Sequence, residues 1–325
     1  MSAHGEPDRG RETWSHTLDD FHSADPAMEQ CFDLARLAAR TGLPILIVGE
    51  SGTGKTLLAR AVHNSSRRAR GPFVAFNAAA LSDTLVDSQL FGHEKGAFTG
   101  AERMVRGKFE LAHGGTLFVD EIADMSAAAQ AKVLRAVEYG EFERLGSEVL
   151  QRADVRLVSA THWPLARFVE TERFRKDLFY RISGITLTLP PLRERPNDLR
   201  ALIASEVRVA GAGEGKAITG LAKEAADLLL SYAWPGNLRE LKTVVQTAVA
   251  LTSADVIRPE AILLHRDLVP RLPAAAVDGD ASLAAAERRH IGQVLASVGG
   301  NKRRAAKLLG ISRSTLDRKL EEATR

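Results

Sequence analysis

One cysteine, Cys31, is all the thiol chemistry in 325 residues. That excludes an internal disulfide framework and suits a reducing cytosol, so a cytoplasmic location is expected. A lone thiol with no His/Asn pattern nearby is also a poor nucleophile, and Cys31 reads as buried filler in a helix. No apolar run approaches the ~20 residues a bilayer-crossing helix needs, which excludes a membrane span. The first twenty residues, MSAHGEPDRGRETWSHTLDD, lack the apolar stretch of a secretory leader. Neither sign of charge dominates, the net being +3. Hydrophobic content of 45% and charged content of 26% are ordinary, so a largely disordered chain is excluded as well. The length allows one large core plus a small extra domain.

The distribution of charge says more than its sum. From Glu287 to Arg325 there are ten Lys/Arg against four Asp/Glu, leaving 34 against 37 elsewhere. A mildly acidic body with a basic tail hints at nucleic acid, although a solvated basic helix would look the same on charge alone.

The chain is organised around Ile45 to Thr56. Ile45-Leu46-Ile47-Val48 reads as a buried strand, and Gly49-Glu50-Ser51-Gly52-Thr53-Gly54-Lys55-Thr56 fits G-x-x-x-x-G-K-[ST]. Leu57, Leu58, Ala61 and Val62 continue at helical spacing. Strand, glycine loop and helix in that order separate a real phosphate loop from a chance match. Glycines let backbone N–H groups approach phosphate oxygens, and the helix N-terminus adds partial positive charge. Lys55 supplies a full charge, and Thr56 offers a hydroxyl to Mg²⁺.

Residues 1–20 read as a flexible tail, followed by a helix that begins at Asp25-Pro26. Further strands are predicted at 73–76, 117–119, 155–160 and 185–189, with helical patterns such as 127–139 between most of them. Alternating β and α predicts a mostly parallel sheet covered on both faces, with ligands at the strands' C-terminal ends. After Pro191 only helices are predicted (197–209, 223–231, 238–252), as in a small lid. Residues 270–282, rich in Ala, Pro, Asp and Gly, read as a linker. Three helices follow, at 283–298, 302–309 and 313–322.

Leu117-Phe118-Val119-Asp120-Glu121 has the form of a second nucleotide motif, an apolar strand ending in acid. One carboxylate holds Mg²⁺ through its water shell; a second orients the attacking water. Asp120 is assigned the metal and Glu121 the water. Alone the pattern is weak, because acidic residues often follow strands as helix caps.

Gly96-Ala97-Phe98-Thr99-Gly100-Ala101 decides the family resemblance. From its composition it is either a mobile loop with an apolar tip or a packed helix-to-helix turn. The hexapeptide GAFTGA is the signature of bacterial enhancer-binding proteins, the AAA+ activators of sigma-54-dependent transcription. The chain resembles that family over about residues 21–264, and its end resembles a Fis-like DNA-binding segment. The layout is most similar to the phage-shock-protein activator type. The resemblance implies an α/β fold: an AAA+ P-loop parallel sheet (21–190), a helical lid (191–265), a linker (266–282) and a small all-α helix-turn-helix domain (283–325).

The resemblance also implies roles. Gly49 to Thr56 matches Walker A, and Asp120 and Glu121 match Walker B. Asn77 matches the polar switch residue that holds the catalytic glutamate. Thr161-His162 falls at sensor I, where many members have Asn at the second position. Arg175 and Arg181 match the arginine fingers supplied to a neighbour's nucleotide. Exposed salt bridges with Asp177 or Glu172 would account equally well for either one alone. Arg239, after Trp234-Pro235-Gly236, matches sensor II. Gly96 to Ala101 is expected to touch sigma-54, with Phe98 and Thr99 at the tip. ATP and Mg²⁺ are the implied cofactors. The implied partners are sigma-54 RNA polymerase holoenzyme, double-stranded enhancer DNA and copies of the chain itself, from dimer to hexameric ring. No receiver-, GAF- or PAS-sized segment fits before Phe21, so control by a separate protein in trans is expected; a longer protein cut short would begin the same way.

Asn301 to Leu320 reads as helix-turn-helix from its own residues. Asn301 and Ser312 are good N-caps, and Gly310 permits the turn. Ala305, Ala306, Leu309, Ile311, Leu316 and Leu320 form the expected packed face. Arg313, Ser314, Asp317 and Arg318 would face the major groove, with Lys302, Arg303, Arg304 and Lys307 on phosphates. The alternatives to a sigma-54 activator are a DNA-binding AAA+ regulator that does not act on sigma-54, which would lack an intact GAFTGA loop, and an AAA+ remodelling enzyme, which the Fis-like end disfavours.

Overall fold

The computed structural model describes residues 15–79, 82–264, Ile291, Leu295 and 301–322. The chain divides into two compact units, 1–264 and 265–325.

In the first unit α1 (Pro26–Ala39) precedes β1 (Ile45–Val48), α2 (Lys55–Asn64), β2 (Phe73–Asn77) and α3 (Asp83–Phe91). A short ribbon of β3 (Gly92–His93) and β4 (Val105–Arg106) leads to α4 (Lys108–Leu111), β5 (Thr116–Asp120) and α5 (Ala127–Tyr139). A hairpin of β6 (Glu141–Glu143) and β7 (Leu150–Arg152) precedes β8 (Arg156–Thr161), α6 (Leu165–Glu170), α7 (Lys176–Ile182) and β9 (Ile185–Thr188). The lid contains α8 (Pro196–Gly213), β10 (Gly220–Leu221), α9 (Lys223–Ser231), α10 (Asn237–Leu251) and β11 (Val256–Ile257).

The main sheet is wholly parallel in the order β2-β5-β8-β1-β9. The central strands β5, β8 and β1 are buried at nearly every position because both faces are covered, whereas the edge strands β2 and β9 are partly exposed. Ile45 and Ile47 point to a core shared with Phe32 of α1 and Leu58 and Val62 of α2. Leu46, Leu117, Val119 and Leu157 point to the opposite core with Val133 of α5 and Leu178 of α7. Successive side chains alternate between the two layers, as the strand period requires.

The lid has its own core, in which Trp234 is completely buried among Leu199, Ile203, Leu229 and Val245. Its helical reading holds, with a two-residue parallel pair of β10 and β11 added. The tail expected as far as Asp20 is packed at its end. Leu18 is 1% exposed, and its N–H donates to Ser65 Oγ at 2.8 Å.

In the second unit α11 (Lys302–Leu308) and α12 (Arg313–Glu322) pack around Ala305, Ala306 and Leu316, with Ile291 against them. Asn301 and Ser312 cap as expected, accepting from Arg304 N at 3.2 Å and Thr315 N at 3.1 Å. Gly310 takes φ +68° between the helices. The expected linker, 266–282, lies outside the described residues, as does all of the expected helix 283–298 except Ile291 and Leu295.

Candidate active site

The sheet register brings the motifs to one edge. Val48 is level with Thr161 and Thr188, and Asn77 with Asp120. The residues that follow these strands share the crevice beyond their C-terminal ends. Gly49 N–H donates to the Thr161 carbonyl at 3.2 Å, fixing the start of the phosphate loop. Lys55, 6% exposed, donates from Nζ to the carbonyls of Gly49 at 2.9 Å and Glu50 at 3.3 Å, and lies 3.7 Å from Glu121 Oε1. Thr53 is buried with its hydroxyl on the Glu50 carbonyl at 2.8 Å, while Thr56 is exposed on the first turn of α2.

Asp120 and Glu121 diverge because the backbone turns over between them. Glu121 has φ +53°, a left-handed conformation that costs a non-glycine residue about 1–3 kcal/mol. Burial, then the adjacent Glu121 charge, push the Asp120 carboxyl above the usual range, with Lys55 and Arg239 pulling back. A nearby cation would favour the ionised form. No cluster of three or more His, Cys, Asp or Glu suited to a metal occurs among the described residues. A carboxylate and an exposed hydroxyl are nonetheless hard oxygen donors of the kind Mg²⁺ takes when waters and phosphates complete its shell. The donor set therefore fits Mg²⁺.

The expected contact between Asn77 and Glu121 is absent. The Asn77 side-chain carbonyl instead accepts the Ala79 N–H at 2.8 Å, closing a local turn. Glu121 is held from β8: its Oε2 accepts the His162 backbone N–H at 3.2 Å and lies 2.7 Å from His162 Nδ1. Asn77 was expected to hold Glu121 from the neighbouring strand end, but a short polar side chain there can also bond its own backbone, and here it does.

The lid closes on the loop through Arg193 and Asn237, which the sequence did not single out, as well as through Arg239. Glu50 accepts both guanidinium nitrogens of Arg193, at 2.7 and 2.9 Å, and the Asn237 side-chain amide at 3.2 Å. These bonds, from Arg193 first, hold its carboxyl below the ordinary range. Asn237 is fully buried; its amide also reaches the Ser51 carbonyl at 3.1 Å and its oxygen accepts Leu192 N–H at 2.7 Å. Leu238 N–H donates to the Gly52 carbonyl at 3.0 Å, and Arg239 donates to Ser51 Oγ at 2.9 Å. Glu50 and Ser51 thus tie the phosphate loop to the lid, and Arg239 lies at the boundary expected of it.

Residues 21–188 match the sigma-54 interaction domain, 193–270 the AAA+ ATPase lid domain, and 282–322 the Fis family of bacterial regulatory proteins. The chain belongs to the sigma-54 activator family. It is 45% identical over 298 residues to the transcriptional regulatory protein ZraR of Klebsiella oxytoca, covering 91% of this chain and 67% of that one. It is 43% identical over 299 residues to the Nif-specific regulatory protein of Klebsiella pneumoniae, covering 91% of this chain but only 57% of the relative. The crystal structure of NtrX from Brucella abortus in complex with ADP superposes with a TM-score of 0.70 at 32% identity, covering 94% of this chain and 70% of that one. Its ATP complex gives 0.69 at 32% identity, covering 93% and 69%.

In this member of the family the loop of Gly96 to Ala101 lies between β3 and β4. Gly96 N–H donates to the Ala101 carbonyl at 2.8 Å, closing the six residues, and Gly96 and Gly100 take φ of +83° and +99°. Thr99 is exposed. Phe98 is half-buried with its ring edge-on to His93 at 5.0 Å, so the two expected tip residues differ in exposure. Ala97 packs beside Gly146 of the β6–β7 hairpin.

The two arginines of the expected finger segment bond neither the phosphate loop nor residues 96–101. Arg175 makes a bidentate pair with Asp177, at 2.7 and 3.0 Å, and Arg181 points to the Glu138 carbonyl at 3.3 Å. Both sit at the exposed ends of α7. In the helix-turn-helix unit, Lys302, Arg303, Arg304, Lys307, Arg313, Ser314 and Arg318 are exposed. Asp317 is half-buried and bonded to Lys302 at 2.8 Å, with Arg313 at 3.9 Å.

Proposed function

We propose that this chain hydrolyses ATP and uses the event to remodel sigma-54 RNA polymerase at a promoter while bound to upstream DNA. The observation that carries the reading is the convergence of Lys55, Asp120, Glu121, His162 and Arg239 at one sheet edge, within a sigma-54 interaction domain that presents a closed GAFTGA loop. Lys55 and backbone N–H groups of the phosphate loop after Gly49 bind the phosphates, and Arg239 reaches them from the lid. Thr56 and Asp120 would hold Mg²⁺, which would supply positive charge against the triphosphate. Glu121 orients the water that attacks the γ-phosphoryl group.

Arg175 and Arg181 are exposed on one chain and complete the site of a neighbour in a ring, a hexamer as in the family. Such guanidinium donors are worth about 10³–10⁵ in rate in related phosphoryl-transfer systems, so assembly switches hydrolysis on. The Phe98–Thr99 loop engages sigma-54, and α11 and α12 hold the enhancer.

The deciding experiment is promoter opening with purified polymerase. Opening with the sigma-54 enzyme, dependent on hydrolysable ATP and absent with the housekeeping enzyme, is expected. Opening that persists with a non-hydrolysable analogue would overturn the remodelling reading. DNA binding without any sigma-54 effect would favour a regulator that leaves sigma-54 alone.

A further inference from the structure

The carboxylate of Glu121 is governed by the end of β8. Two donors of His162 converge on one oxygen: the backbone N–H at 3.2 Å and ring Nδ1 at 2.7 Å, in the tautomer that carries the proton there. The second oxygen, Oε1, stands 3.7 Å from the Lys55 ammonium. The imidazole is itself fixed. It packs on the Trp163 ring with centroids 4.4 Å apart. The Trp163 indole N–H in turn donates to Asp124, on the turn after Glu121, at 3.1 Å, and its ring meets Phe168 at 5.5 Å. The same strand end accepts Gly49 N–H on the Thr161 carbonyl at 3.2 Å, so it anchors both the phosphate loop and the catalytic carboxylate.

We propose that His162, and not Asn77, is the positioning residue that sets Glu121 for water activation. Glu121 leaves its strand in a left-handed backbone conformation, and without a partner its side chain would rotate freely. With Oε2 occupied by two N–H donors, Oε1 is the oxygen left to accept a proton from water. A misplacement of about 1 Å costs on the order of 10²-fold in such a site, which sets the scale of the effect. The inference rests on the ATP-hydrolysing reading and deepens it.

The test is steady-state ATP hydrolysis by the full chain and by His162→Ala, His162→Asn, Asn77→Ala, Glu121→Gln and the double variant Glu121→Gln/His162→Ala. His162→Ala is expected to lower kcat about 10- to 100-fold and to change KM by less than about 3-fold. His162→Asn, which keeps a side-chain N–H, recovers most of that loss. The loss in His162→Ala exceeds that in Asn77→Ala. In the Glu121→Gln background the His162→Ala change costs less than about 3-fold, because it acts through the carboxylate already removed. An equal loss in both backgrounds, a raised KM at unchanged kcat, or a larger loss in Asn77→Ala would overturn the proposal. Hydrolysis by the unaltered chain no faster than by Lys55→Ala would overturn the ATPase reading itself, and the proposal with it.

Discussion

Gly52 lies directly beneath the carbonyl oxygen of Gly236, so close that a β-carbon there would approach it to 2.3 Å. Gly52 also has φ +81°. The phosphate loop therefore needs glycine at this position for the lid as well as for a phosphate. Gly52→Ala is expected to lower stability by about 1–3 kcal/mol in urea denaturation and to weaken ATP-analogue binding at least tenfold, as the lid is pushed off the loop. Gly215→Ala is the control: φ +64° but nothing within 4 Å of the added carbon. It should cost only the backbone strain, about 1 kcal/mol, and leave nucleotide binding alone. Equal effects on binding in the two variants would show that lid contact is not what Gly52 provides.

Strands β1 and β5 were legible because both faces of a parallel sheet are buried at its centre, so they appear as apolar runs, β1 leading into the phosphate loop and β5 ending in acid. Helices 127–139 and 223–231 were read at their observed bounds from periodicity, which the Ser126 and Gly140 caps reinforce in the first but no side-chain cap does in the second. The two- and three-residue strands of β3, β4, β6 and β7 carry no readable period. The ties between lid and loop join Glu50 to Arg193 and Asn237, 143 and 187 positions away, and no local pattern announces such pairs. The identity of the site was therefore visible in its motifs, whereas the partner of each side chain was not. Asn77 ends one strand and His162 follows another, both beside the strand that leads to Glu121, and only the folded geometry assigns the contact to His162.

A second polar cluster joins Ser23 and Ala24, ahead of α1, to the lid. Asp198 accepts from Ser23 Oγ at 2.6 Å, Ala24 N at 2.8 Å and Arg195 NH2 at 2.7 Å, and the Asp198–Arg195 pair is less than a tenth exposed. Removing one partner strands a buried guanidinium. Asp198→Ala should cost about 3–5 kcal/mol in urea denaturation, and Asp198→Asn less, since its amide oxygen still accepts. Burial alone would raise the Asp198 carboxyl, but the bonds from Ser23, Arg195 and Ala24 hold it below the usual 3.8. The contribution of this group is complete above that value and is lost as pH falls through the lower native one. A variant as stable as the unaltered chain would mean that the cluster contributes nothing net.

The Lys302–Asp317 pair restrains the helix-turn-helix unit. Its bond to Lys302 holds the Asp317 carboxyl below the ordinary range, so a full negative charge sits beside the basic surface. Asp317→Ala removes that charge and frees Lys302 for a phosphate. Binding to random duplex should tighten several-fold, and the slope of log K against log salt should steepen by about one. Arg304→Ala should change the slope by the same amount in the opposite direction. Weaker binding by Asp317→Ala, confined to one sequence, would instead assign Asp317 a base contact.

Cys31 is buried in α1, and that burial pushes its thiol up to about 11, with Arg195 pulling the other way. In the unfolded chain the thiol ionises near its ordinary value of 9.0. Between those two values the native state keeps a proton that the unfolded state releases, so stability falls as pH rises through that window. Set against Cys31→Ala, which has no thiol to titrate, the unaltered chain should lose up to about 2–3 kcal/mol more across the window in urea denaturation. The same burial makes the native thiol slow to react with a disulfide reagent at pH near 8, and unfolding should release the reaction. Parallel pH curves for the two proteins would mean that the native thiol ionises as freely as the unfolded one, against its place in the packed layer between α1 and the sheet.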